Sequence, residues 1–454
     1  MKKLTTGKVW CFALGQLGWS ILAAVISSWL VNYYQPEASV LAEGHKIFIP
    51  QGLVIFGVFT VLGAITAFGR VFDAITDPLI ASASDKCRSK DGRRIPFMRA
   101  AAIPFAAVTV LTFWSPVDGE SWINAAFLFV SVTLFYLFMT MYCTPYNALI
   151  PELGNDQKKR MSISTTISFT YIAGMAVAYM APVVWGALQG AGIERITAIR
   201  LTFSGMAFIG MVCMFVPVFT IKEKDYVDAV PAEGTAFSSL AATFRNRQFR
   251  TFVASDIAYF LGITMFQTAL PFFVTGLLKL DESMSTVFFV LMTALSILFY
   301  IPVQLLTPKF GKRRLILFAF ILFIACFVYA AAFGRDLPLS PMLQGYLLCF
   351  AAAPAMAIFG ILPQAVVADI SQCDAIETGE NRAGMFYAAR TFAFKMGQSA
   401  AMLIVTALSS IGRETGFGYR LIALSAAAVC MLGGVIFLFY NEKSVYAKII
   451  GKDA

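Results

Sequence analysis

The chain has 454 residues, of which 59% are apolar and only 13% are charged, and its formal net charge is +9. A soluble globular protein carries about 25% charged residues, so this composition excludes an ordinary water-soluble domain. Backbone polar groups in lipid must be satisfied within each segment, and a spanning helix needs about 20 apolar residues. The sequence therefore predicts an all-α, polytopic membrane protein.

Twelve apolar runs are long enough to be transmembrane helices. In chain order they cover residues 8–33, 48–82, 97–116, 123–149, 162–189, 197–220, 247–278, 284–306, 314–334, 342–368, 385–411 and 417–440.

Basic residues sort to one side of this predicted topology, which argues against a nucleic-acid partner. They cluster in residues 86–94, 158–160, 245–250 and 309–314, whereas the opposite loops hold little beyond Lys46, Arg195, Lys279, Arg335 and Arg413. Positively charged loops stay in the cytoplasm. We therefore expect a bacterial inner-membrane protein with both termini cytoplasmic.

Residues able to do covalent chemistry are sparse. The eight cysteines form no CxxC pair, His45 is the only histidine, and no phosphate-binding loop is present. This pattern predicts neither a disulfide framework nor a metal cluster, and it favours a protein that is not an enzyme and has no cofactor.

A polar stretch divides the twelve runs into two sets of six. We expect six-helix bundles at 1–221 and 247–441, a cytoplasmic linker at 222–246 and a cytoplasmic tail at 442–454. The loop from Asp85 through Gly92, Arg93 and Arg94 has a shorter counterpart at 308–314, which indicates a repeated unit and a gating loop, although these charges alone would also set topology. Six plus six spans with this loop resemble the major facilitator superfamily, whose halves alternate access to a site between them.

The second run contains charged residues on one helical face. Arg70, Asp73 and Asp77 are spaced by three and four residues, and carboxylates one turn apart in low dielectric either share a proton or bind a cation. Pro78 removes the donor to the Ala74 carbonyl and adds an oxygen ligand. The alternative is that Asp77 caps the helix and Asp73 pairs with Arg70.

A lysine lies well inside the eleventh run. Lys395 needs a partner there, and we expect Asp73 and Asp77 of the other half to provide one, unless its side chain extends to an interface. Asp256 and Asp369 are weaker candidates, either as caps or as partners of Arg250 or Arg382.

Aromatic and polar residues that suit a sugar occur in the first and fourth runs. Pro145 should kink the fourth run beside Tyr142, Tyr146 and Asn147, and Trp19 lies in the first. Aromatic rings stack on sugars, but they are equally common at membrane interfaces.

Three stretches resemble the glycoside–pentoside–hexuronide:cation symporters, the family of melibiose permease. They are Gly-Arg-Val-Phe-Asp-Ala-Ile-Thr-Asp-Pro at 69–78, Tyr-Cys-Thr-Pro-Tyr-Asn-Ala-Leu-Ile-Pro at 142–151, and residues 368–397, which include Lys395-Met-Gly. The resemblance implies symport of a small sugar-like solute with sodium or a proton. We expect the protein to act as a monomer. It places Asp73, Asp77 and Thr140 at the cation and gives Arg70 and Lys395 functional roles.

Departures from the family pattern concern the solute. Ser20 and Cys143 stand where melibiose-type members carry acids, Asn147 replaces a tryptophan and Ser168 replaces an arginine. The resemblance thus places Ser20, Cys143 and Asn147, with Trp19 and Tyr146, at a substrate site less acidic than that of melibiose-type members, which makes an anionic sugar plausible. Alternatives are a sodium-coupled lysolipid carrier of the same fold and a non-transporting membrane sensor.

The charge asymmetry makes a topological prediction. A cysteine placed at Lys224 should react only with reagents applied from the cytoplasmic side, and one placed at His45 only from outside. Labelling of intact cells, with the native cysteines replaced, checks both positions. Reaction at position 224 from outside would contradict the assignment.

Overall fold

The computed structural model describes residues 4–37, 40–41, 44–153, 157–226, 243–334, 338–378, 383–412 and 414–450. Within these ranges the regular structure is helical, apart from two isolated β-bridges at Ile55–Phe59 and Ser89–Gly92. The chain divides into two compact units, residues 1–233 and 234–454. The division lies inside the predicted linker, of which residues 227–242 fall outside the described ranges.

The first unit contains seven helices among its described residues. They are α1 (Thr6–Tyr34), α2 (Val61–Asp85), α3 (Ile95–Leu111), α4 (Trp122–Leu153), α5 (Gln157–Tyr179), α6 (Ala181–Gly190) and α7 (Arg195–Thr220), followed by a short 3₁₀ turn at Glu223–Asp225.

The second unit continues with α8 (Arg247–Phe272), extended by one π-helical turn at Phe273–Leu277. The helices that follow are α9 (Met284–Phe310), α10 (Lys312–Ala331), α11 (Pro341–Thr378), α12 (Ala383–Ser409), α13 (Phe417–Phe437) and α14 (Glu442–Ile450).

The two units pack their helices in the same pattern. In the first unit, α1 lies against α5 and α7, α2 lies against α4, and α3 lies against α4 and α7. In the second unit, α8 lies against α12 and α13, α9 lies against α11, and α10 lies against α11 and α13. The units are therefore two copies of one arrangement, as the repeated loop predicts.

Each of the twelve predicted spans contains a helix. Ten stretches of the described chain are long and apolar enough to cross a membrane; the other two predicted spans correspond to α2, which carries Arg70, Asp73 and Asp77, and to the 17-residue α3. Large apolar side chains such as Phe208 and Leu298 stay about two-thirds exposed, as expected of surfaces that face lipid.

The predicted start of the second span at residue 48 is wrong. The helix begins at Val61, and the Thr60 hydroxyl caps it by accepting a bond from the Gly63 amide at 3.0 Å. Gly52, Phe56 and Gly57 have φ angles of +81°, +54° and +67°. These left-handed residues cannot continue a right-handed helix although the run is apolar.

The fifth predicted span, 162–189, is two helices that break at Met180. Pro182 has no amide hydrogen, so the Ala178 carbonyl four residues earlier loses its helical donor. The Trp29 indole of α1 donates to that carbonyl at 2.9 Å. A side chain from a neighbouring helix thus replaces the missing backbone bond.

An aromatic cluster encloses His45 in the connection between α1 and α2. Its Nε2 donates to the Tyr33 carbonyl at 2.8 Å, and the Tyr33 and Phe48 rings pack around it. The Nδ1 atom is buried with no hydrogen-bond partner among the described residues. Burial lowers the pKa of His45 to about 4; the bond to Tyr33 opposes this shift and the charge of Arg195 adds to it.

This burial predicts acid sensitivity of the first unit. Because the folded pKa of His45 lies below its unfolded value, the unfolded state takes up the proton first, and stability is lost as the pH falls from about 6.5 to about 4. The free energy of unfolding falls by about 3 kcal/mol at a pH where the His45 ring is protonated in the unfolded state but not in the folded state.

Melting temperatures of the purified protein across this pH range check the prediction. His45→Gln is the matched control, because an amide still donates to the Tyr33 carbonyl but does not titrate. The melting temperature of the variant should fall less with acid than that of the wild type, and parallel curves would contradict the prediction.

Candidate functional site

Asp73 is held at the interface of α2 and α4. It is fully buried, and the Thr140 hydroxyl donates to its Oδ1 at 2.5 Å. Gly69 makes this approach possible, because a methyl group there would lie 2.6 Å from the Tyr136 ring. The Arg70 guanidinium lies 5.1 Å from the centre of the same ring. The structure thus brings together Asp73 and Thr140, which sequence analysis places at the cation.

A second pair repeats this contact one turn along both helices. The Thr144 hydroxyl donates to Oδ1 of Asp77 at 3.1 Å, and both pairs join residues 67 positions apart. The same separation relates Pro78 to Pro145, which follow the second pair directly. Sequence analysis missed Thr144; its position four residues after Thr140 is the signal that would have found it.

This arrangement is rich in oxygen atoms and suits a hard cation. Two carboxylates and two hydroxyls line one turn of two adjacent helices, and Pro78 and Pro145 remove the helical donors of the Ala74 and Met141 carbonyls. Hard cations select carboxylate, hydroxyl and carbonyl oxygens. A hydroxyl that donates to a carboxylate still has lone pairs for a cation.

Two tyrosines of α4 fasten the helix to its neighbours. The Tyr142 hydroxyl donates to the Met214 carbonyl of α7 and the Tyr146 hydroxyl to the Phe12 carbonyl of α1, both at 2.8 Å. Tyr146 also stacks on the Phe12 ring with centres 4.3 Å apart and is fully buried. Its ring therefore helps to hold α4 against α1.

The other predicted substrate residues differ in exposure. Ser20 is buried and donates to the Leu17 carbonyl at 3.0 Å. Trp19 and Cys143 are partly exposed and Asn147 is exposed. The Trp19 ring lies 6.1 Å from that of Tyr171, and its Nε1 atom has no hydrogen-bond partner among the described residues. Trp19, Cys143 and Asn147 are thus the ones with accessible atoms.

Charges inside the second unit have partners that sequence analysis did not identify. Asp256 pairs with Arg390, not with Arg250, and Asp369 pairs with Lys312 at 2.5 Å. Arg382 lies outside the described residues. Lys395 is 8% exposed within α12, and its expected pairing with Asp73 and Asp77 stays a prediction.

The predicted gating loop is held by a glutamate that follows the last helix of the first unit. Carboxylate oxygens of Glu223 accept bonds from the amides of Arg93 at 2.9 Å, Arg94 at 2.8 Å and Ile95 at 3.3 Å. The Ile95 amide is an unsatisfied donor of the first turn of α3, and the amides of Arg93 and Arg94 lead into that turn. Gly92 has a φ of +113°, and a methyl group there would lie 2.3 Å from Oε2 of Glu223. The side chain of Asp85 lies outside the described residues.

The second unit has the same clamp. Glu442 accepts bonds from the amides of Lys312 at 2.8 Å and Arg313 at 3.0 Å, at the N-terminus of α10. Gly311 has a φ of +79° there, and a methyl group would lie 2.9 Å from Oε2 of Glu442. Each glutamate follows its glycine by 131 residues. We call these the Glu223 and Glu442 clamps.

Comparison with known proteins identifies the family. The sequence profile of the family described as MFS/sugar transport protein matches residues 11–439. The chain is 31% identical over 209 residues to a putative glycoside/cation symporter of Escherichia coli, YagG, an alignment that spans 44% of this chain and 43% of that protein. It is 23% identical over 409 residues to a symporter of Bacillus subtilis, YnaJ, which covers 88% and 81% of the two chains.

Solved structures support the fold. A crystal structure of a D-xylose–proton symporter superposes with a TM-score of 0.66 at 14% identity, and covers 96% of this chain and 98% of that chain. At this identity the similarity concerns the fold alone.

The clamps predict a specific cost for a single methyl group. Gly92→Ala should both strain a left-handed residue and displace Glu223 from three amides, which together should lower stability by about 2 kcal/mol. Gly192→Ala is the matched control, because Gly192 also has a positive φ, +89°, but nothing lies within 4 Å of the added methyl group. Thermal unfolding of both variants checks the difference, and equal losses would contradict a role for the Glu223 clamp.

Proposed function

The chain belongs to the MFS/sugar transport family, a family of multi-pass membrane transporters, and we propose that it imports a sugar or sugar-derived solute together with sodium or a proton. The solute would be a glycoside, pentoside or hexuronide. Its relatives are named as symporters, which supports coupling to a cation. Transport of this kind needs no cofactor, and we propose that a monomer performs it in the bacterial inner membrane with both termini in the cytoplasm.

The observation that carries the proposal is the double contact between α2 and α4. Asp73 and Asp77 lie one turn apart inside an apolar helix, which is unfavourable by several kcal/mol unless a proton, a bound cation or a basic side chain compensates them. Each carboxylate receives a threonine hydroxyl from the parallel position of α4. A binding site formed of such pairs stays organised when it is empty, as a reversible cation site requires.

Coupling follows from the electrostatics of this site. A bound cation neutralises the carboxylates, and solute binding would be favoured in that state, so that the two ligands travel together. We propose Arg70 and Lys395 as the basic residues that respond to the charge of the site. Trp19, Cys143 and Asn147 would contact the solute, and Ser20 and Tyr146 would support them from the packed face of α1 and α4.

Replacement of either acid should separate binding from coupling. We expect Asp73→Asn and Asp77→Asn to abolish uptake against a gradient in proteoliposomes while leaving solute exchange, because exchange does not require net cation movement. Asp118→Asn is the matched control. The Asp118 side chain is 93% exposed, and it forms a surface ion pair in which Oδ1 lies 3.8 Å from Nζ of Lys46. A variant that still accumulates solute would show that its carboxylate is structural.

A panel of solutes tests the substrate class. Glycosides, pentoses, uronic acids and a lysophospholipid should be offered with a sodium gradient, with a proton gradient and with neither. The proposal expects accumulation of at least one sugar-derived compound under one gradient. Accumulation of the lysophospholipid alone would favour the lipid carrier, and no accumulation of any compound would favour a sensor.

A further inference from the structure

A buried ion pair joins α8 and α12 in the second unit. Arg390 donates to both carboxylate oxygens of Asp256, from Nε at 2.6 Å and from Nη2 at 3.1 Å. Both residues are less than a tenth exposed, at 5% and 7%. The guanidinium lies 5.4 Å from the ring centre of Phe260 and 5.9 Å from that of Phe252. The pair is thus bidentate and surrounded by aromatic rings.

Aromatic pairs and a close backbone approach make up other described contacts of this helix interface. Phe249 packs on Phe386 and Phe260 on Phe394, with ring centres 4.8 and 4.9 Å apart. A methyl group on Gly397 would lie 3.1 Å from the Ile257 carbonyl oxygen. The helices are therefore already in tight contact on either side of the ion pair.

The first unit has uncharged residues at the equivalent positions of its own helix pair. There α1 packs on α5, and a methyl group on Gly174 would lie 2.9 Å from the Leu17 carbonyl oxygen, which matches the contact of Gly397 with Ile257. We align Leu17 with Ile257 and Gly174 with Gly397. In this alignment Gln16 corresponds to Asp256, and Ile167 corresponds to Arg390. Both are buried. The arrangement of helices therefore does not require an ion pair at this level.

Stability alone is a weak reason for the pair. Replacing a buried ion pair by neutral residues of similar size often leaves stability unchanged or raises it. When Gly174 is aligned with Gly397, Ile172 of the first unit corresponds to Lys395 of the second. All three charges thus occupy positions that are uncharged in the first unit, and they occur together on one helix pair.

We infer that Asp256 and Arg390 are positioning residues for Lys395. An arginine fork that holds both oxygens of one carboxylate fixes the rotation and the height of α12 against α8 more tightly than apolar contacts do. Lys395 lies five residues beyond Arg390 on the same helix, so a turn or shift of α12 moves its ammonium group. The inference rests on the coupling role proposed above for Lys395.

The first unit supplies the variant that tests this inference. Asp256→Gln with Arg390→Ile gives α8 and α12 the residues that α1 and α5 carry at these positions. The purified double variant should have the melting temperature of the wild type in choline chloride. Its stabilisation by sodium chloride at constant ionic strength, or by protons in a His45→Gln background that removes the His45 titration, should have a midpoint shifted at least about fivefold in cation concentration, a typical size for coupling between sites.

Arg390→Lys provides a second measurement that does not depend on neutralising the pair. It keeps the charge but loses the fork, and should shift the cation midpoint in the same way. Thr268→Val is the control at the same interface, where the hydroxyl contacts Sδ of Met402 at 3.8 Å. It should leave the midpoint unchanged.

The outcomes separate this inference from the proposed function. A wild-type protein stabilised by neither cation overturns the cation site and the inference with it. If the cation stabilises the wild type, and the double variant and Arg390→Lys have the same cation midpoint as the wild type, the inference alone is overturned. A double variant that fails to fold also overturns it, because the pair would then be required by the fold.

Discussion

Ionisable groups inside apolar helices lose most of their hydration, so each needs a partner of its own or a ligand. Two acids in the helices of the second unit follow this rule. The Asp256 carboxylate takes the Arg390 guanidinium and Asp369 takes Lys312. Asp73 and Asp77 each accept a threonine hydroxyl bond from α4, and these bonds fix the positions of the carboxylates. The acids of the second unit are thus held by basic side chains, and hydroxyl groups orient the acids that we propose as cation ligands.

Backbone groups obey the same constraint. Where Pro182 removes a donor, the Trp29 indole supplies one, and where α3 and α10 begin with unsatisfied amides, Glu223 and Glu442 accept from them. These side chains come from elements distant in sequence. They therefore hold the tertiary structure together while they satisfy a local requirement of one helix.

The sequence predicts much of the fold because lipid demands long apolar helices, and each of the twelve predicted spans contains one. It fails where apolar composition and helical geometry diverge, as at Gly52 and Gly57, whose positive φ angles stop the second span from starting at residue 48. The carboxylate pair follows from spacing within one helix. Thr144 and Arg390 do not, because each meets its acid across a helix interface, and spacing along one helix does not reveal such contacts.

The Glu223 and Glu442 clamps each close within a single unit, and neither uses a residue of the other. Glu223 binds the start of α3 and Glu442 the start of α10, so both partners of each clamp lie on the same side of the connection at 227–242. A chain severed there would yield two polypeptides that each contain both partners of the described hydrogen bonds of their own clamp. Neither clamp therefore requires a continuous polypeptide, and two separately encoded halves would carry both partners of each one.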